Sequence, residues 1–176
     1  KVLSYVGQEE QGEDIVQMLE HYKKTWGTKI KSFQLQRFAP GVEVAVGAFF
    51  NGNEFVFPVN VNFEHKRMFN DEVGPSTGEM GTSMFWANEN SLFRATLGKM
   101  VEPLRTHKYV GYIDINCIAN MRGIYPLECT SRFGMPTLSI QMEGILSPMG
   151  ELLYGLAKGE TPALRFKKGF QVGVVV

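Results

Sequence analysis

The chain has 176 residues, of which 44% are hydrophobic, 20% charged and 12% aromatic, a composition that excludes disordered, collagenous and low-complexity classes. A chain of this length folded as one unit buries roughly 70% of its unfolded surface, enough for a real core. Its 18 basic and 18 acidic side chains cancel, so there is no overall attraction for nucleic acid or an anionic membrane, and any phosphate binding has to be local.

Cys117 and Cys129 are too sparse for a disulfide framework, and both sit in apolar runs, which predicts core packing in a protein of the reducing cytoplasm. No run approaches the roughly 18 apolar residues that span a bilayer, and no signal-peptide pattern follows Lys1. The opening at lysine and the close in Gly173-Val174-Val175-Val176 give the expectation of a piece cut from a longer protein.

Taken in order, Ile15, Met18, Leu19, Tyr22 and Trp26 recur at helical spacing, with Glu13 and Asp14 in the first turn and Lys23 and Lys24 in the last. This predicts a surface helix over 12–26 that ends at Gly27. Strand-like runs follow at 32–38 and 42–50, and the second meets a run at 55–59 across Asn51-Gly52-Asn53, a strong hairpin signal.

Periodicity fades between residues 60 and 90, where Gly, Pro, Ser, Thr, Asn and charge predict a long functional loop. A helix over 91–105 is expected next, then strands at 109–119 and 123–130 joined by a turn near Asn120. A mostly helical stretch over 138–157, interrupted at Pro148, precedes a last strand from about Phe170. Antiparallel strands without βαβ alternation predict an α+β fold.

Alternation along the strand at 109–119 puts Tyr112, Asp114 and Asn116 on one face and Ile113, Ile115 and Cys117 on the other. On its partner, Pro126, Glu128 and Thr130 share one side, and Leu127 and Cys129 the other, so Asp114 is expected to approach Glu128 across the hairpin. Two such carboxylates raise each other's pKa unless a cation stands between them. Arg132 and Mg²⁺ are the candidates, and the plainer alternative is two solvated positions on an open sheet face.

A second cluster, Glu64-His65-Lys66-Arg67, precedes the Gly-rich stretch from Gly74 to Gly81. Three potential cations ahead of exposed amides and hydroxyls suit phosphates or carboxylates. The alternative is a solvated charge run before an ordinary turn.

With these residues in view, the region from Phe38 to Gly134 resembles the later part of the ATP-grasp domain of the phosphoribosylamine-glycine ligase family. The family motifs DHKR, GPNTGGMG and EFNxRFG are matched in order by EHKR at Glu64, GPSTGEMG at Gly74 and ECTSRFG at Glu128. Phe38-Ala39-Pro40-Gly41-Val42-Glu43 is similar to the family's adenine hinge. The resemblance implies an ATP-grasp-like antiparallel sheet flanked by helices, with residues 1–31 ending one subdomain and 32–176 forming the second.

By the same resemblance, Gln36, Arg37 and Phe38 lie at the adenine, Glu43 at the ribose and Lys66 at the triphosphate. Lys66, Arg67 and Arg132 neutralise charge in the reaction. Glu64, His65, Arg67, Gly74, Pro75, Ser76, Thr77 and Gly78 lie toward the acyl-phosphate or acceptor, and Asp114, Glu128 and Thr130 hold Mg²⁺ or Mn²⁺. The implied partners are ATP and small molecules, an amine and a carboxylate, with phosphoribosylamine and glycine as the specific pair.

The sequence departs from the family where Thr130 replaces a metal-binding asparagine, and where Met135 and Thr137 replace an aspartate and a glutamate after the RFG. The implied activity is an ATP-dependent carboxylate-amine ligase acting through an acylphosphate, with little turnover expected from this piece alone. The alternatives are a non-catalytic nucleotide-binding module and a ligase with another amine acceptor.

Overall fold

The computed structural model describes residues 5–176, which fall into two units dividing between Phe38 and Ala39. In the first, the expected amphipathic segment forms helix α1, Glu13–Trp26, followed by Gly27. Asp14 fastens its start: Tyr5 Oη and the Gln8 amide donate to Oδ2 at 3.0 and 2.7 Å, and the Ile15 amide to Oδ1 at 2.9 Å.

No residue of α1 is buried. The strand expected over 32–38 is not formed, and Phe33, Leu35 and Phe38 are exposed. An extended segment becomes a strand by exchanging hydrogen bonds with a neighbouring backbone. The described part of this unit offers only a helix.

The second unit is built on one antiparallel sheet of six strands. In chain order these are β1 (Val42–Asn51), β2 (Phe55–Arg67), β3 (Ser76–Ala87), β4 (Val110–Asn120), β5 (Gly123–Thr130) and β6 (Phe170–Val174). Across the sheet the order is β5-β4-β1-β2-β3-β6. The Asn-Gly turn joins β1 to β2 as expected: Asn51 Oδ1 takes the amides of Asn53 and Glu54 at 3.0 and 2.8 Å.

One face of the sheet is continuous core. Val44, Val46, Ala48 and Phe50 of β1 pack with Phe55, Val59 and Val61 of β2 and Ile113, Ile115 and Cys117 of β4, under Phe93, Leu97 and Leu104. Those last three come from α2 (Ser91–Ala95), a 3₁₀ turn (Leu97–Met100) and α3 (Val101–Thr106). The single helix expected over 91–105 is broken because Thr96 leaves helical geometry, at φ −125° and ψ −95°.

The opposite face is divided along its length. At one end Phe49, Val56, Trp86 and Tyr112 meet Leu152, Leu156 and Leu164. Leu152 and Leu156 lie on α5 (Met149–Ala157), while α4 (Thr137–Gly144) also covers this face and sends Gln141 Nε2 to the Tyr112 hydroxyl at 2.7 Å. The other end of the face is polar. Pro148 separates α4 from α5, as the sequence predicts.

The long loop expected between residues 60 and 90 is mostly sheet, and the true connection spans residues 68–75. Asn60, Asn62, Glu64 and Lys66 alternate with Val59, Val61, Phe63 and His65 along β2, a period of two. Polar residues supply one side of that pattern, so it does not read as apolar-in and polar-out. The stretch from Ser76 to Gly81 likewise belongs to β3.

The β4–β5 register also differs from the expected one. Asp114 stands opposite Thr130 and Asn116 opposite Glu128, and a bulge then pairs Cys117 with Pro126. Asp114 and Glu128 are therefore diagonal neighbours, and Pro126 takes the other side from Glu128 and Thr130. As an edge strand, β5 leaves Leu127 and Cys129 exposed, contrary to the core packing expected of Cys129; Cys117 is buried.

Close packing over β1 depends on Gly47, which lies between Asn60 and Asp114 in the sheet. A Cβ there would stand 1.8 Å from the Tyr112 hydroxyl and 2.4 Å from its ring. Gly47→Ala is expected to destabilise the protein by about 1–3 kcal/mol. A urea midpoint indistinguishable from that of the wild type would contradict this.

Candidate functional site

The polar end of the divided face is assembled from four neighbouring strands. Glu43 comes from β1, Glu64 and Lys66 from β2, Asp114 and Asn116 from β4, and Glu128 and Thr130 from β5. Between them β1 presents only Ala45, flanked by Asn62 and Asn116, and Gly47, flanked by Asn60 and Asp114. The Tyr112 hydroxyl fills the space over Gly47, and longer polar side chains flank both small residues.

Lys66 Nζ bonds Glu43 Oε1 and lies 3.3 Å from Glu64 Oε2. Asn116 Nδ2 donates to the same two oxygens, each at 3.3 Å. One ammonium and one amide thus bridge two carboxylates from adjacent strands.

Burial acts to lower the Lys66 pKa, but the hydrogen bond and charge of Glu43, with the charge of Glu64, outweigh it and hold the ammonium above its ordinary value. Glu64 is pushed up by burial and by Glu79, against the pull of Lys66.

Asp114 is 5% exposed, and its Oδ1 meets no donor among the described residues. Its carboxyl is raised to about 7, first by burial and then by the charge of Glu64, with Glu128 adding to the rise and Arg132 and the Thr130 hydroxyl opposing it. A buried carboxylate with an orphaned oxygen, beside a second carboxylate and a hydroxyl, fits a hard divalent cation. No group of three His, Cys, Asp or Glu side chains converges among the described residues.

More unpaired polarity lies behind Asp114. Asn60 and Asn62 are fully buried, Asn62 Nδ2 donates to Asn60 Oδ1 at 3.3 Å, and Asn62 Oδ1 and Gln141 Oε1 have no donor among the described residues. The two asparagines, Asn116 and Gln141 were not singled out as site residues from the sequence. The period of two along β2 was the available signal for the first pair.

The EHKR stretch is shared between two tasks. Glu64 and Lys66 face the polar end, whereas the His65 ring nitrogens meet Glu72 Oε1 at 3.1 Å and the Phe69 carbonyl at 3.0 Å, and Arg67 Nη1 donates to the Gly74 carbonyl at 2.9 Å. His65 and Arg67 therefore clasp the 68–75 connection. Pro75 accepts the Met68 amide there at 3.1 Å, and the Thr77 hydroxyl donates to the Lys66 carbonyl at 2.7 Å. Ser76 and Gly78 are exposed at the start of β3.

Arg132 is exposed, with Nη1 donating to the Phe133 carbonyl at 2.9 Å, and its charge reaches Asp114. Gln36, Arg37 and Phe38 belong to the first unit, where all three are exposed. Burial lifts the Cys117 thiol to about 11, and burial with the Asp114 charge lifts that of Cys129. Neither is disposed to form a thiolate.

Residues 3–137 match the family model described as phosphoribosylglycinamide synthetase, ATP-grasp (A) domain. The phosphoribosylamine–glycine ligase of Listeria innocua is 31% identical over 152 residues, covering 81% of this chain and 36% of the relative. The chain thus spans about a third of the length of the curated relatives it matches.

Among solved structures, the phosphoribosylamine–glycine ligase of Thermotoga maritima superposes with a TM-score of 0.62 at 24% identity, over 91% of this chain and 43% of that one. The N5-carboxyaminoimidazole ribonucleotide synthetase of Thermus thermophilus does so with 0.60 at 16% identity, over 90% and 41%. These likenesses establish a shared fold.

The Asp114 environment fixes a pH dependence. Its folded pKa is above the unfolded value, so the native state binds the extra proton, and stability is fully present below about pH 4 and lost as the pH rises through about 7. In metal-free protein, Asp114→Asn is expected to flatten that decline, by at most about 4 kcal/mol at pH 8. Parallel pH–stability curves for the two proteins would show that Asp114 is not the source.

Proposed function

The chain belongs to the phosphoribosylglycinamide synthetase ATP-grasp (A) domain family, and from that premise we propose that it is the nucleotide- and metal-binding part of an ATP-dependent carboxylate-amine ligase. The observation that carries the reading is Asp114, buried, with an oxygen that no donor among the described residues satisfies, diagonal to Glu128 and opposite Thr130. In the proposed site Asp114, Glu128 and Thr130 hold Mg²⁺ or Mn²⁺, which supplies neutralisation of phosphate charge.

ATP carries several negative charges, so a face with excess carboxylate needs a divalent cation to accept it. Lys66 stands at the polar end as the ammonium for the phosphates, and Glu43, at the start of β1, is the acceptor for ribose hydroxyls. Gln36, Arg37 and Phe38 would supply the adenine contacts. Glu64, His65, Arg67 and residues 74–78 would position the acceptor, Glu64 directly and the others through the connection they clasp.

The proposed reaction has a substrate carboxylate attack the γ-phosphate of ATP, giving an acylphosphate and ADP. An amine then attacks the acyl carbon, its proton is lost, and phosphate leaves. The residues bind, orient and neutralise charge, and no nucleophilic side chain is required. Glycine and phosphoribosylamine are the proposed substrates, the cytoplasm is the proposed setting, and residues 1–31 and 32–176 are proposed as parts of successive ATP-grasp subdomains.

Thr130, where the family motif has asparagine, supports a second reading: a nucleotide-binding module without turnover. ADP formation that depends on both an added carboxylate and an added amine, measured on the intact protein, decides between the two. Asp114→Asn combined with Glu128→Gln is expected to weaken Mg·ATP binding at least a hundredfold, and calorimetry that returned an unchanged affinity would remove the metal assignment.

A further inference from the structure

Glu79 has no counterpart in the family motif GPNTGGMG, whose position here is glycine, and the motif GPSTGEMG introduces it on β3. Thr137, conversely, stands where the family carries a glutamate. The two departures are in contact: Thr137 Oγ1 donates to Glu79 Oε1 at 2.6 Å, and the Thr82 hydroxyl donates to the same oxygen. Both threonines are buried, at 2% and 3% exposure, so Glu79 Oε1 is anchored by two hydroxyls withdrawn from solvent.

The other carboxylate oxygen is treated differently. Glu79 Oε2 receives no hydrogen bond from the described residues, and it lies against Gly134, the end of the ECTSRFG motif, where an added Cβ would stand 3.6 Å from it. Its charge reaches Glu64 and helps raise that carboxyl.

Among the described residues, the cations that reach Glu43, Glu64 and Asp114 at the polar end are Lys66 and Arg132. Lys66 is engaged by Glu43 and Glu64, the Arg132 charge reaches Asp114, and in the proposed site a divalent cation would serve Asp114 and Glu128. Glu79 Oε2 has no ion-pair partner among the described residues, while its Oε1 is fixed by two hydroxyls.

We propose that Glu79 determines substrate specificity by accepting, on Oε2, the ammonium group of a small amino acid whose carboxylate is activated at this site. The inference rests on the ligase reading above. An amino acid enters as a zwitterion, so a site that holds its carboxylate near the phosphates has to oppose its ammonium with a fixed negative charge. Oε1 is anchored by two hydroxyls, which aims Oε2 without assistance from the ligand.

The test uses calorimetry on the intact protein, with Mg·AMP-PNP titrated first and glycine second. Glu79→Gln keeps the carbonyl oxygen that both threonines need and removes only the charge. The expected result is unchanged Mg·AMP-PNP affinity and glycine affinity weakened at least tenfold, with partial recovery when Glu79→Gly is combined with Thr137→Glu.

Unchanged glycine affinity in Glu79→Gln, or a wild type that takes Mg·AMP-PNP but no glycine, overturns the inference and leaves the ligase reading standing. Loss of Mg·AMP-PNP affinity in Glu79→Gln overturns it by making Glu79 a metal group. A wild type that takes no Mg·AMP-PNP removes both the reading and the inference.

Discussion

A single ammonium group stands between two carboxylates that the sheet would otherwise set against one another. Glu43 and Glu64 each lie two residues beyond the Ala45–Asn62 pair on β1 and β2, so the register brings like charges across adjacent strands. Opposed like charges destabilise a sheet. Lys66, two residues further along β2, folds back over both, and Asn116 adds a neutral donor from β4. The rest of the polar end is built around that arrangement, because it consumes the lysine and leaves Asp114 without an ammonium among the described residues.

The consequence is a gradient of electrostatic comfort across four strands. Glu64 is compensated by Lys66, while Asp114, deeper and beside Gly47, is raised to about 7. Buried polar groups in folded proteins nearly always find partners, and a group that does not is a place where stability has been given up. Asn62 Oδ1 and Gln141 Oε1 share that condition with Asp114 Oδ1. Asp114 Oδ1 on β4 and Asn62 Oδ1 on β2 are, among the described residues, unsatisfied acceptors of the sheet itself, and Gln141 Oε1 is one on the helix that covers it.

Much of this was legible before the structure. The helix at 13–26, the Asn51-Gly52 hairpin, the β4–β5 hairpin and the break at Pro148 follow from local signals: helical spacing, turn chemistry and a helix breaker. The strand reading at 32–38 failed because strand formation depends on a partner, and sequence pattern does not say whether one is present. The loop reading at 60–90 failed for the opposite reason, since a strand that serves a polar site loses the apolar alternation by which half-buried strands are recognised. Asp114, Asn116 and Glu128 were correctly gathered on one face, but their pairing was not, because the bulge next to Asn116 leaves no local mark in the sequence.

The motif departures read differently once their contacts are known. Taken singly, Gly to Glu at position 79 and Glu to Thr at position 137 look like a charge gained in a strand and a charge lost after the RFG turn. The 2.6 Å hydrogen bond puts the two departures in contact, with the carboxylate on β3 and the first residue of α4 as its hydroxyl donor. A carboxylate near the start of a helix is favoured by the unpaired amides there, whichever element supplies it. On β3 the Glu79 carboxylate meets the start of α4 through the Thr137 hydroxyl and turns its second oxygen toward Gly134.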